Sequence, residues 1–317
     1  MTFASPRPRL VGAGLVALAA VCFGTLGPVT RFADEAGVGS LAIVTWRAAI
    51  GGLAMLLLLG VLRGAAGRRP LGVGDLPVRD RWFVGAGAIA NLVLNLAMFI
   101  AFVRIEIGLA LLLFYAYPAF VALASVAWFS ERLDGVRWGA LGLSTVGLVL
   151  TLAGAGELGS LDLLGIGLSI MAGGAQAFYV LAARHGFGRI PPVEAAATTM
   201  TVAALGYVVI ALVTGGAAGL LAPLASSAAL VPVLLAGVIG AAIPTLAFIT
   251  GIRILGAPRA AILATLEPVV GVLLAALLLG EQPAALQLAG GALILVAAVL
   301  LQVGGGPAAE HEAVGAA

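Results

Sequence analysis

"LLLFYAYPAFVALASVAWFSE" (residues 111–131) lies over "AILATLEPVVGVLLAALLLGE" (261–281) with Pro118 on Pro268 and Glu131 on Glu281, at one shared spacing. Each segment is an aliphatic run of the length that crosses a hydrocarbon layer of about 30 Å, and each carries a helix breaker in its interior. Upstream, Gly12, Gly14, Leu15 and Arg31 match Gly165, Gly167, Leu168 and Arg184 at a spacing three residues longer. Identity between the halves is low. The order of features across these spans is what marks an internal repeat.

The rest of the 317 residues agrees with that reading. With 62% hydrophobic residues, 9% charged and a mean hydropathy of +1.18, the chain has too little polar surface to cover a water-soluble core. Backbone groups in lipid must pair within their own segment, so the runs read as helices. Clusters of Arg, Asp, Pro and Gly divide them into ten spans, at about 10–32, 41–62, 82–103, 108–129, 137–153, 163–183, 194–213, 230–252, 257–279 and 284–302. The first is read as an uncleaved span rather than a signal peptide, since its apolar stretch runs on to Phe32. Thirteen of the sixteen arginines fall on the side of the N-terminus, Arg31 and Arg104 on the other, and Arg47 within a span. By the positive-inside rule both termini are cytoplasmic. The longest connection, "RGAAGRRPLGVGDLPVRDR" (63–81), is a basic Gly/Pro-rich loop, and residues 215–229 are expected along the outer surface. The tail 303–317 has too little apolar bulk to fold and is expected to be disordered.

The fold class expected is therefore all-α and polytopic, with one five-helix repeat over 10–153 and a second over 163–302. Five is odd, so the second repeat enters the membrane from the opposite face. The two are then related by a pseudo-two-fold axis in the membrane plane, an arrangement that secondary transporters use to build a substrate site near midplane.

With "AYPAFVALASVAWFSE" in one half and "LEPVVGVLLAALLLGE" in the other, each followed by one more Gly- and Leu-rich span, the chain resembles the EamA family of the drug/metabolite transporter superfamily over residues 10–302. The resemblance implies a ten-helix inverted-repeat fold and transport of small metabolites, often export of amino acids or related compounds. A lipid flippase of the same fold is the alternative. Where many members have a short polar link between spans three and four, this chain has "RIEIG" (104–108), which leaves the charge pattern of the outer mouth open.

Composition also argues against other classes. The basic balance comes from arginines in short loops, a topology signal rather than a nucleic-acid surface. All sixteen basic residues are arginine, so there is no lysine for a Walker motif or a Schiff base. His185 and His311 lie outside the apolar runs, leaving "GLSTV" (142–146) and "GLSIM" (167–171) without a base to activate serine. No HExxH occurs, Cys22 is alone, and no enzyme activity, cofactor or metal is expected. The partners expected are the bilayer, a small-molecule substrate and a proton or counter-substrate.

Polar side chains inside the runs mark the candidate site, since an ion at the bilayer centre costs on the order of 2.5–3.5 kcal/mol on insertion scales. Glu267 lies about 10 residues into span nine, roughly 15 Å at the helical rise. Pro268 beside it cannot donate to the carbonyl of Ala264, so the helix kinks and carbonyls are freed for a substrate or ion. Either Glu267 faces the transport cavity, where it is the proton-coupling candidate, or it stays neutral, bonds to neighbouring helices and positions the kink. Pro118 is the matching kink, and Tyr117 occupies the position of Glu267 in the first half, so the repeat itself does not demand a carboxylate. Arg47 serves an anion or counter-ion in the cavity, a structural ion pair, or snorkels to the surface. Asn91 and Asn95, four residues apart on one helical face, bind substrate or tie helices together. Gln176, Tyr115 and Trp46 are further candidates for the cavity. Glu131 and Glu281 sit at turns and read as helix caps.

Overall fold

Where the sequence predicts apolar runs, the computed structural model has helices. It describes residues 6–66, 72–129, 134–155, 162–186, 190–255, 260 and 263–303. The helices are α1 (Pro6–Gly24), α2 (Leu26–Glu35), α3 (Ser40–Ala66), α4 (Val78–Arg104), α5 (Ile107–Phe114), α6 (Tyr117–Phe129) and α7 (Gly135–Gly154). They continue with α8 (Leu163–Gly186), α9 (Pro192–Val213), α10 (Ser227–Gly237), α11 (Ile243–Leu255), α12 (Leu266–Leu279) and α13 (Ala285–Val303). A π-turn, Val238–Ala242, joins α10 to α11, and 3-10 turns occupy Val73–Asp75 and Ala217–Leu224. Among the described residues, eight helical stretches are long and apolar enough to cross a membrane, and two shorter apolar helices follow at Leu266–Leu279 and Ala285–Leu301. The chain is a multi-pass membrane protein whose described residues form helices and turns without strands. The cap expected of Glu131 and the tail from residue 304 onward lie outside the described residues.

Four of the runs are interrupted. The breaks fall at Thr25, at Tyr115–Ala116, in the π-turn and at Thr265. A proline follows each within three residues: Pro28, Pro118, Pro244 and Pro268. In the first turn of a restarted helix a proline sacrifices no hydrogen bond of its own, but it withholds a donor from the carbonyl four residues back. The sequence predicts this at Pro118 and Pro268; Pro28 and Pro244 do the same.

Packing follows from small residues and apolar stripes. α4 lies along α8, α7 along α13, α3 along α9 and α1 along α11. At the α7–α13 contact a Cβ on Gly290 would stand 2.5 Å from Gly147 O, so only glycine lets these backbones approach. Phe99, Ile43, Ile107 and Tyr207 are buried at the centre. Outside, α3 shows Leu53, Leu57 and Val61 at four-residue spacing, 58%, 63% and 68% exposed. Stripes of that kind belong against lipid, not water.

Side chains close the helix ends. Asp134 accepts from Arg137 N (2.8 Å) and Ser226 from Ala229 N (3.2 Å). Asp162 Oδ1 accepts from Leu164 N and Gly165 N, both at 3.0 Å, and the Gly165 N–H leads in holding this carboxyl below the usual carboxylate range. Glu281 is a cap as well, though not of the helix that follows it. Its carboxylate accepts from Ile107 N (2.8 Å) and Gly108 N (3.2 Å), closing the start of α5 in the first half of the chain.

Candidate functional site

Polar groups from both halves converge on a cavity of about 590 Å³ that runs from Leu26 and Phe102 to Ile190 and Pro192. Of the residues singled out in the sequence, Arg47, Asn91, Asn95, Tyr115, Tyr117, Gln176 and Glu267 all line it. Trp46 does not. Its indole donates to Leu220 O at 2.8 Å, pinning the 3-10 turn of residues 217–224 to α3.

Arg47 is placed by a chain of neutral acceptors. Nη1 donates to Asn95 Oδ1 (2.8 Å), Nε donates to Gly240 O (3.1 Å), and the guanidinium carbon stands 5.5 Å from the centre of the Phe99 ring. Asn95 Nδ2 in turn donates to Asn91 O at 2.8 Å, with Asn91 Oδ1 at 3.3 Å. The amide pair on α4 thus orients an arginine on α3. Gly240 lies in the π-turn, and Pro244, four residues on, has no N–H to offer its carbonyl; the arginine takes that place. No carboxylate among the described residues forms a salt bridge with Arg47.

Glu267 stands in the first turn of α12. The Tyr115 hydroxyl, at the α5–α6 break, lies 3.1 Å from Glu267 Oε2 and 3.2 Å from Ala264 O. Ala264 O is the carbonyl that Pro268 leaves without a donor, so here the freed group is occupied by Tyr115. Pro118 and Pro268 are the second residue of α6 and the third of α12, which places each proline just past a break. Phe114, Tyr115 and Tyr117 pack their rings at centroid distances of 5.5, 5.6 and 5.9 Å, forming an aromatic wall beside the acid.

Several contributors were not visible in the sequence. Thr199, Thr245 and Tyr179 line the cavity, and buried Tyr207 donates to Leu92 O at 2.8 Å, tying α9 to α4. Beyond the cavity, Glu194 on α9 accepts from Arg63 Nη2 (3.0 Å) and Val73 N (3.2 Å). The signal for Gly240 was present as a proline, Pro244, inside an apolar run.

The sequence profile of the EamA-like transporter family matches residues 10–153 and 163–303. The chain belongs to the EamA-like transporter family. An uncharacterized transporter of Synechocystis sp., sll1319, is 30% identical over 224 residues, which is 69% of this chain and 65% of that protein. The chain thus spans a little under two thirds of that relative's length. A solved crystal structure superposes with a TM-score of 0.58 over 94% of this chain and 96% of its own, at 20% identity, a likeness that speaks for the fold alone. The cavity, lined by residues of both matched segments, is the candidate functional site of this EamA-like protein.

Proposed function

We propose that this EamA-like protein is a secondary active transporter of the cytoplasmic membrane. It has ten spans in two inverted five-helix repeats and both termini in the cytoplasm, and it moves a small polar metabolite, an amino acid or related compound, by alternating access. Export is the direction the family resemblance favours. Helix packing supports the inverted repeat: span one against span eight (α1 on α11) has its counterpart in span six against span three (α8 on α4). Contacts between equivalent spans, α3 with α9 and α7 with α13, fall where a two-fold axis would put them.

The observation that carries the reading is a single cavity holding a cation from one half, Arg47, and an acid from the other, Glu267. Its volume is in the range that encloses a small ligand. Arg47 suits the anionic end of a zwitterion, Glu267 the cationic end or a proton, and the aromatic wall the carbon skeleton. Site residues from both halves are what alternating access requires, because rocking one half against the other then remakes the site.

Counterflow tests this. Purified protein in liposomes loaded with unlabelled amino acids should accumulate the labelled compound for at least one member of a panel; E267A should lose that accumulation and R47A should weaken it. Transfer of labelled phospholipid between leaflets, with no counterflow of any polar metabolite, would replace the proposal by the flippase reading.

A further inference from the structure

Three oxygens meet where the broken helices of the two halves face one another. Tyr115 Oη is 3.1 Å from Glu267 Oε2 and 3.2 Å from Ala264 O. Both separations are hydrogen-bond contacts, so each asks for a proton between its two oxygens. A carbonyl supplies none, an ionised carboxylate supplies none, and a phenol supplies one. With Glu267 ionised, either an acceptor faces an acceptor or one proton is divided between two bonds. Tyr115 is buried and Ala264 and Glu267 are half-buried, so an acceptor left without its bond here gives up part of its hydration with no return. With Glu267 protonated the count closes: the acid donates to Tyr115 Oη, and Tyr115 donates to Ala264 O. Among the described residues no other side chain donates to Glu267.

We propose that Glu267 carries its proton in this conformation, and that Tyr115 is the positioning residue coupling that proton to the break ahead of α12. When the proton leaves, the phenol turns its one hydrogen to the carboxylate and releases Ala264 O. Pro268 has already removed the helical donor to that carbonyl. One of the contacts that shape the break is then lost, which favours rearrangement of the segment. Proton loss becomes a backbone movement between the halves.

The surroundings of Glu267 are consistent with a proton that comes and goes. Tyr115 and Tyr117 face it from the α5–α6 break, and α5 itself carries no titratable side chain. Arg47 lines the same cavity from α3, with Nη1 and Nε bonded to Asn95 and Gly240 O. α1 and α2, which also pack on α12, bring Cys22 and, at the far end of α2, Arg31, Asp34 and Glu35.

The inference deepens the transport reading and rests on it for its meaning, but its test needs no substrate. Infrared difference spectra of the full chain in lipid nanodiscs should show a carboxylic-acid C=O band that disappears as pH rises. E267Q should abolish the band, and Y115F should move it to higher frequency because the acid has lost its acceptor. A reporter cysteine at Ala196, with Cys22 replaced by alanine, gives a second readout. Its labelling rate, taken at each pH relative to the same cysteine in denatured protein so that thiol ionisation cancels, should change several-fold with pH in the parent, stay at the low-pH value in E267Q, whose amide mimics the acid as a donor, and lose its pH dependence in Y115F. A band that survives E267Q, one that Y115F leaves unmoved, or E267Q labelling that still follows pH would each overturn the proposal. Should Y115F not fold, the parent and E267Q still decide it. Counterflow can persist through any of those failures, so failure of the coupling and failure of the transport reading are told apart.

Discussion

Arg47 is a half-buried cation whose bonds go to an amide oxygen, a backbone carbonyl and a ring face. That arrangement orients the guanidinium without neutralising it, leaving its charge for something that enters the cavity. A charged hydrogen bond of this kind is worth about 1.5–3 kcal/mol, or roughly ten- to a hundredfold in affinity. R47A should therefore raise the half-saturating substrate concentration in counterflow by about that factor. R47K should recover part of the loss, since it keeps the charge but not the planar fork that spans Asn95 and Gly240. Equal half-saturation in R47A and the parent would remove Arg47 from the site. The sequence identified this residue by its depth in an apolar run, and it put Asn91 and Asn95 on one helical face. It did not reveal that the amides serve the arginine, because Arg47 and Asn95 sit on different helices and nothing local links them. Tyr115 is a related case. Overlaying the halves pairs Glu267 with Tyr117, yet the phenol that touches the acid is two residues earlier, a contact between distant segments that no local signal records.

The helices were legible because hydropathy and arginine placement are one-dimensional signals; their breaks were legible only where a polar residue drew attention to the proline. Pro28 and Pro244 have no acid or amide beside them, and there the run reads straight through. Yet Pro244 leaves Gly240 O for Arg47 to fill. P244A would return an N–H to that carbonyl and set the helix in competition with the arginine. Expected is a fall in counterflow with no loss, or a small gain, in thermal stability, read by a transport assay beside a melting curve. A parallel fall in both would make Pro244 a packing residue only. The α7–α13 contact should behave in the opposite way. In G290V the added side chain would enter the space held by Gly147 O and Thr151, and overpacking of this kind costs about 1–3 kcal/mol. Since this contact lies away from the cavity, G290V should lower the melting temperature while the folded fraction keeps the parent's half-saturation in counterflow.

Across the whole molecule, each end of the bundle is fastened by polar contacts that the proposed rocking motion would have to break. At one end Glu281 caps α5, Arg31 Nη2 donates to Ile105 O at 2.6 Å, and Arg104 pairs with Asp162 at 2.8 Å. Asp162 has a lowered pKa, so its contribution to stability is present above the ordinary carboxylate range and is lost as pH falls through the lowered value. Melting curves should show a small acid-side decline in the parent that D162N lacks; the pair is partly exposed, so the effect should also shrink with salt. At the other end the strap from Gly72 to Pro77 packs against residues that line the cavity. Leu76 packs on Ile190 and Ala195, which themselves line it, and Glu194 holds both Arg63 and the backbone of Val73. The arginine at each end, Arg31 or Arg63, has a buried Nε without a hydrogen-bond partner. An unpaired buried donor costs about 1–3 kcal/mol, so each fastening is weaker than its bonds alone suggest, as suits contacts made to open. E194Q keeps the shape of the strap contact but removes the charge that grips Arg63. A cysteine at Ala196, in a chain with Cys22 replaced by alanine, should then be labelled several-fold faster by a membrane-impermeant thiol reagent added on the strap side. The Glu281 cap at the far end is untouched by the change, so labelling from that side should not increase. Faster labelling from both sides would mean general loosening, and unchanged labelling from the strap side would show that Glu194 does not fasten the strap.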